Sequence, residues 1–281
     1  PFWRCAANEV NWMSNTPARA AADTPAVFLS AEDARALLSE LLDIAAVMLV
    51  AGAEINRVED TLMRLGRAYG AARMEVFVIT SSVIVTMVFP DGQEQTQTRR
   101  INNVASTDFR LLEEMNALSR RCCARPLPPA ELHRQLQALL QAPVRRLPLY
   151  LGSALGTGSL TVFFGGSLTD ALAAALVALG ICLLKQKLAP LCLNLVVFDL
   201  LAALLSGLGI CGLCALLPTL HADKVMIGDI MLLIPGLAMT NALRDILAGD
   251  TIAGLMRLIE SLLWAGILAC GFMIAIRLTG G

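Results

Sequence analysis

The run Ile230-Met231-Leu232-Leu233-Ile234-Pro235-Gly236-Leu237-Ala238-Met239-Thr240-Asn241-Ala242-Leu243-Arg244-Asp245 constrains this chain more than any other stretch. It is apolar enough to enter a bilayer, is interrupted at its centre by Pro-Gly, and closes on Asn, Arg and Asp. Proline removes an amide donor and obstructs the preceding turn, so the break leaves backbone groups that lipid cannot satisfy. Such a break persists only where protein or a water-filled cavity covers it, which is the setting of permeation and binding sites.

Hydrophobic residues make up 56% of the 281 positions and charged residues 16%, and nearly all the charges precede Arg146. That partition predicts a polar domain over 30–145 followed by a membrane domain over 146–281. Residues 1–29 have no continuous apolar core, so they read as a flexible tail and not as a secretory signal. A net charge of -1 excludes the basic surface a nucleic-acid binder needs. Cys211 and Cys214 have metal-like spacing but no second pair and no nearby His, so they read as packing residues. No metal or cofactor is expected.

In the polar half, Ser30-Ala31-Glu32-Asp33 has the form of a helix start. Leu37, Leu41, Ile44 and Met48 then share one helical face, and Ile55, Val58, Leu62 and Leu65 share another beyond Gly52. After Gly70 the pattern turns β-branched and aromatic, through 76–80 and 83–89, with Pro90-Asp91-Gly92 as a turn into a return strand over 94–99. Two helices follow, one striped by Phe109, Leu112, Met115 and Leu118, the other opened by Pro128-Pro129 and striped by Leu132, Leu136 and Leu139. The sum is an α+β domain with a small antiparallel sheet. Gly52, Glu54 and Arg57 mark either a kink with a solvated helix face or a gating element, and both readings stay open.

The membrane half reads as five spans: 147–164, 168–184, 190–217, 225–243 and a last one ending near Ile276. Each approaches the roughly 20 residues that cross a bilayer. Basic residues fall on alternate links (Arg145, Arg146, Lys185, Lys187, Arg244 and Arg257), which places the polar domain in the cytoplasm and Gly281 outside. Counted from Pro190, Asp199 lies about 14 Å along a helix, near mid-bilayer, where an ionisable group faces a cavity or a partner. Asp170 and Asp229 read as hydrated groups near the outer surface. Asn241, Arg244 and Asp245 gather at the inner end of the broken span, either as an interfacial ion-pair cluster or as contacts for a polar solute. Arg244 suits a substrate carboxylate.

The stretch Leu232-Leu233-Ile234-Pro235-Gly236, with Thr240-Asn241-Ala242-Leu243-Arg244-Asp245 and Gly249-Asp250, resembles the signature of the threonine/serine exporter family. Gly52-Ala53-Glu54, Arg57-Val58-Glu59 and Leu65-Gly66 are similar to the start of its cytoplasmic domain. Phe163-Phe164-Gly165-Gly166 with Asp170 resembles its first membrane hairpin. The resemblance implies secondary export of small polar metabolites, threonine and serine in some members and the dicarboxylate succinate in two-component ones. Five spans look like the larger subunit of the split form, which implies a small membrane partner with four or five spans in a bacterial inner membrane, with homo-oligomers also open. The residues expected to contact or move the solute are Asp199, Pro235, Gly236, Asn241, Arg244 and Asp245. An intramembrane enzyme is disfavoured because neither His lies in a span to serve as a base. A membrane-anchored solute sensor or scaffold is the alternative.

Overall fold

A computed structural model describes residues 31–101, 107–143, 146–188 and 195–280. The expected tail over 1–29, the Ser30 cap, Arg145 and the Pro190 start of the third span lie outside the described residues.

The polar half begins with α1 (Ala31–Val50) and α2 (Ile55–Ala68). Leu37, Leu41, Ile44 and Met48 of α1 and Ile55, Val58, Leu62 and Leu65 of α2 are all fully buried. Each such side chain contributes about 1.5–3 kcal/mol on leaving water. Gly52 ends α1: its φ of 92° is left-handed. The amide of Ala53 folds back to donate to Met48 O at 2.9 Å, closing a glycine-capped helix end. The expected kink is therefore a full stop between two helices.

Strands β1 (Arg73–Ile79), β2 (Ser82–Val88) and β3 (Glu94–Arg100) form an antiparallel sheet in the order β1-β2-β3. Val83, Val85 and Met87 point inward from β2 while Ile84 points out, the two-residue alternation of a half-buried strand. The helices cover one face. At the α2–β1 contact, a Cβ on Gly66 would lie 2.4 Å from Met74 Sδ, so the Met74 side chain lies directly over the glycine. Helices α3 (Phe109–Ala124) and α4 (Pro129–Leu140) complete the layer. Met115, Leu118, Leu132 and Leu136 join the core, but Phe109, expected on the α3 stripe, is 64% exposed. The hydroxyl of Tyr69 ties the layer together, donating to Leu127 O at 2.9 Å and accepting from Leu127 N at 3.2 Å.

The second half comprises α5 (Arg146–Phe163), α6 (Leu168–Lys187), α7 (Leu195–Leu216), α8 (Ala222–Leu233), α9 (Gly236–Ala248) and α10 (Thr251–Thr279). By length and composition α6, α7 and α10 can each cross a membrane, and α8 with α9, bent by 53°, can form a fourth crossing. The 18-residue α5 is not among them. It carries Arg146 and Pro148 and a run of Gly, Ser and Thr, which lower its hydropathy below that of its neighbours. Large apolar side chains such as Leu155, Leu172, Leu247 and Leu263 point outward, as expected of helices surrounded by hydrocarbon.

Small residues set the helix contacts. A Cβ on Gly271 would meet Ala203 Cβ at 2.6 Å, and one on Gly207 would meet Ala275 Cβ at 2.6 Å. The two contacts share one offset, so α7 and α10 run parallel at backbone proximity. Cys211 and Cys214 pack against the apolar cluster that includes Ile210 and Phe272.

Asp170 and Asp229 depart from the expectation of surface hydration, because both are fully buried. Asp170 forms a capping box with Ser167 at the start of α6. It also accepts from the His221 amide at 2.8 Å and contacts His221 Nδ1 at 3.0 Å. Asp170 thereby pins the α7–α8 link onto the α5–α6 turn, a packing role that span boundaries alone do not disclose.

Candidate functional site

The site is built where the turn between α1 and α2 meets the helical hairpin of α9 and α10. The turn presents successive carbonyls, and each receives a donor. Ala51 O accepts from the Asp108 amide at 3.1 Å. Gly52 O accepts from Asn241 Nδ2 at 3.0 Å and Ala53 O from a guanidinium nitrogen of Arg257 at 3.3 Å. The next group, the Ile55 amide, is an unpaired donor at the start of α2. It donates to Asp245 Oδ1 at 3.1 Å. Glu54, the residue before α2, makes no side-chain cap of its own. A carboxylate from the other half of the chain supplies that function, favoured by the positive end of the helix dipole.

Asp245 uses its second oxygen for Arg257, whose NH1 donates to Oδ2 at 2.8 Å. The side chains are 1% and 9% exposed, so each charge relies on the other for compensation. Arg257, expected in a link between spans, stands inside α10 and is a central member of the junction. Its contacts with Asp245, twelve positions earlier, and with Ala53 O reveal that role. A sequence pattern that treats both as link charges does not show it.

The hairpin supports this arrangement closely. Gly249 adopts φ 107°, which reverses the chain after α9. A Cβ on Gly254 would sit 2.7 Å from Ala242 O and 2.9 Å from Ile246 N, so α10 lies against the α9 backbone. Ala253 belongs to the core of the polar half. The first turn of α10 is therefore shared between the two halves.

Beside the buried pair, Arg244 is 61% exposed at its side chain and pairs with Glu54. These residues line a pocket of about 580 Å³ with Arg57, Glu113, Arg120 and Asn241, floored by Thr240, Leu237 and Phe109. This accounts for the exposure of Phe109, which turns from the core toward the pocket. The lining holds charges of both signs and an amide. It can receive a small solute bearing a carboxylate, with Arg244 as a bidentate donor.

Pro235 and Gly236 lie at the bend, immediately before the pocket residue Leu237. Gly236 is exposed, and a Cβ on it would meet nothing closer than Ile234 Cγ2 at 3.8 Å. The break is thus not sealed within protein contacts. Of the residues singled out from sequence, the structure brings together Gly52, Glu54, Arg57, Asn241, Arg244 and Asp245. It leaves Asp199 apart. The α7–α10 contacts set residue 199 level with about residue 267, roughly 15 Å along the helix axis from Arg257.

A family model described as "Putative threonine/serine exporter" matches residues 40–279. The chain belongs to the threonine/serine exporter family. The match spans both halves, so the junction is internal to the family's domain. The family is one of transporters, which agrees with apolar helices able to cross a membrane. No curated protein and no solved structure matches the chain.

Proposed function

We propose that this protein is a secondary exporter subunit for small polar solutes carrying a carboxylate, threonine and serine or a dicarboxylate such as succinate. The observation that supports it most is the pocket shared by both halves, where Glu54 occupies Arg244 as a solute carboxylate would. The solute displaces Glu54, engages Arg244 and Asn241, and reaches the break at Pro235-Gly236. Asp245 and Arg257 hold the walls of this mouth in place. Gly52, Glu54 and Arg57 form its movable rim.

The polar half is cytoplasmic in this reading, and the protein crosses a bacterial inner membrane five times, α5 included, with its C-terminus outside. Arg146 bonds Gln186 at 3.3 Å, beside Lys185 and Lys187. Basic residues therefore gather at one end of the α5–α6 pair, consistent with that orientation. A small partner subunit of four or five spans joins the assembly, as the family resemblance implies; co-purification from native membranes tests it.

Flux of labelled threonine, serine and succinate from vesicles holding the protein with its membrane partners tests the function. Export of one solute that falls at least tenfold in Arg244→Gln supports the reading. Export unaffected by that change, or absent for all three solutes, contradicts it. The shared pocket also serves the alternative of an anchored sensor. In that case solute binds, Arg244→Gln abolishes binding, and no flux occurs.

A further inference from the structure

Among the described residues of the second half, Asp229 is a carboxyl buried with both oxygens unpaired. It lies on α8 at 0% exposure. Among the described residues neither carboxyl oxygen has a hydrogen-bond partner. The segment is held tightly: a Cβ on the preceding Gly228 would fall 2.1 Å from Thr161 Oγ1 and 3.1 Å from Thr157 O of α5. Thr157 Oγ1 is likewise buried without a partner.

Among the described residues no Lys, Arg or His donates to Asp229. Beyond Tyr150, α5 carries no ionisable group. On α6 the ionisable groups are Asp170, already engaged by Ser167 and His221, Cys182, and Lys185 and Lys187 in the last turn, at the far end from the α5–α6 turn. On α7 they are Asp199, Cys211 and Cys214, and α8 itself bears Asp223 and Lys224 at its start. None of them bonds to Asp229. An ionised carboxylate in such a place costs several kcal/mol, and one without a partner in a membrane interior marks function by default.

Asp229 also sits on a short helix bounded by two turning points. Helix α8 is 12 residues long. It is bounded at one end by the link pinned through Asp170 and at the other by the Pro235 break, where the α9 axis turns by 53°. A short rigid segment between two such points can swing as a body.

We propose that Asp229 is the proton-carrying residue of the transport cycle. In the conformation described here its carboxyl holds a proton, taken from water on one face. When α8 turns about Pro235-Gly236, the carboxyl meets water on the other face and returns the proton there as hydronium. Asp199 is less suited to this task, being only half-buried and within electrostatic reach of Lys185. The proposal rests on the exporter reading.

Two measurements on the full chain in lipid vesicles test it. Infrared spectra across pH should show a protonated-carboxyl band in the wild type and in Asp199→Asn that is missing in Asp229→Asn. In flux, Asp229→Asn should keep solute exchange at equal pH while losing at least tenfold of the export driven by a pH gradient. An unchanged band in Asp229→Asn overturns the proposal. So does gradient-driven export at the wild-type rate, or wild-type export driven by sodium and indifferent to pH. If Asp229→Asn does not insert, Asp229→Glu replaces it: a displaced pH profile supports the proposal and an unmoved one overturns it. A wild type that moves no solute contradicts the exporter reading, and the infrared band still decides whether Asp229 holds the proton.

Discussion

Asp245 Oδ1 accepts the backbone amide of Ile55 at 3.1 Å across 190 positions of sequence, so a residue at the end of the broken helix caps a helix of the polar half. The same carboxylate neutralises Arg257. The two halves are therefore joined by a charge pair and a helix cap that share one side chain.

Removing that carboxylate should be severe. Asp245→Ala leaves Arg257 buried without a counter-ion and the Ile55 amide without an acceptor. A loss of about 3–5 kcal/mol follows from breaking one partner of a buried pair. Thermal unfolding in detergent should show it as a large fall in the midpoint. Pairing Asp245→Asn with Arg257→Met should recover part of that loss, because no lone charge remains.

Gly254→Val should push α9 and α10 apart, since its Cβ position already overlaps Ala242 O and Ile246 N. Overpacking of this kind costs about 1–3 kcal/mol. The effect should reach the junction, because Ala242 neighbours Asn241. Limited proteolysis should then cut the turn over residues 51–54 faster than in the wild type.

Tyr69→Phe removes both hydrogen bonds to Leu127. At about 0.5–1.5 kcal/mol each, the variant should lose roughly 1–3 kcal/mol. Chemical denaturation followed by circular dichroism measures this. Burial pushes the pKa of the Tyr69 phenol upward, so the hydroxyl remains a donor throughout the alkaline range in which the fold survives.

Glu59 gives the polar half a pH dependence of known sign. Burial, and then the negative charge of Asp250, raises its pKa, with a hydrogen bond from the Val78 amide opposing in part. Over a window above the ordinary glutamate range, the native protein keeps a proton that the unfolded chain has released. Stability therefore falls as pH rises through that window. Glu59→Gln removes this cost. Its melting midpoint should exceed that of the wild type at neutral pH, and the difference should vanish near pH 4, about the glutamate model value.

How far these features could be read from residues alone depended on whether their cause was local. The break at Pro235, the stripes of α1 and α2 and the hairpin strands arise from neighbours within a few positions, and periodicity displays them. The partners of Asn241 and Asp245 are backbone groups of Gly52 and Ile55, which no side-chain pattern marks. The two stretches that resemble the family signature turn out to bind each other, a relationship visible only in three dimensions. Asp229 was misplaced for a related reason. Distance from a helix end estimates depth in a membrane, but burial depends on how closely other helices pack, and α5 meets α8 at Gly228 through Thr157 and Thr161. Phe109 fits the α3 stripe by spacing, yet it faces the pocket because the preceding chain docks on Ala51.

Equilibrium binding of labelled threonine, serine and succinate to the purified protein tests the central claim most directly, comparing wild type, Glu54→Gln and Arg244→Gln. The Glu54–Arg244 pair is partly exposed, so releasing it is worth up to about 1 kcal/mol. Glu54→Gln should therefore bind the solute a few-fold more tightly, while Arg244→Gln should bind it at least tenfold more weakly. Affinities that are the same in all three proteins would contradict a carboxylate site at Arg244.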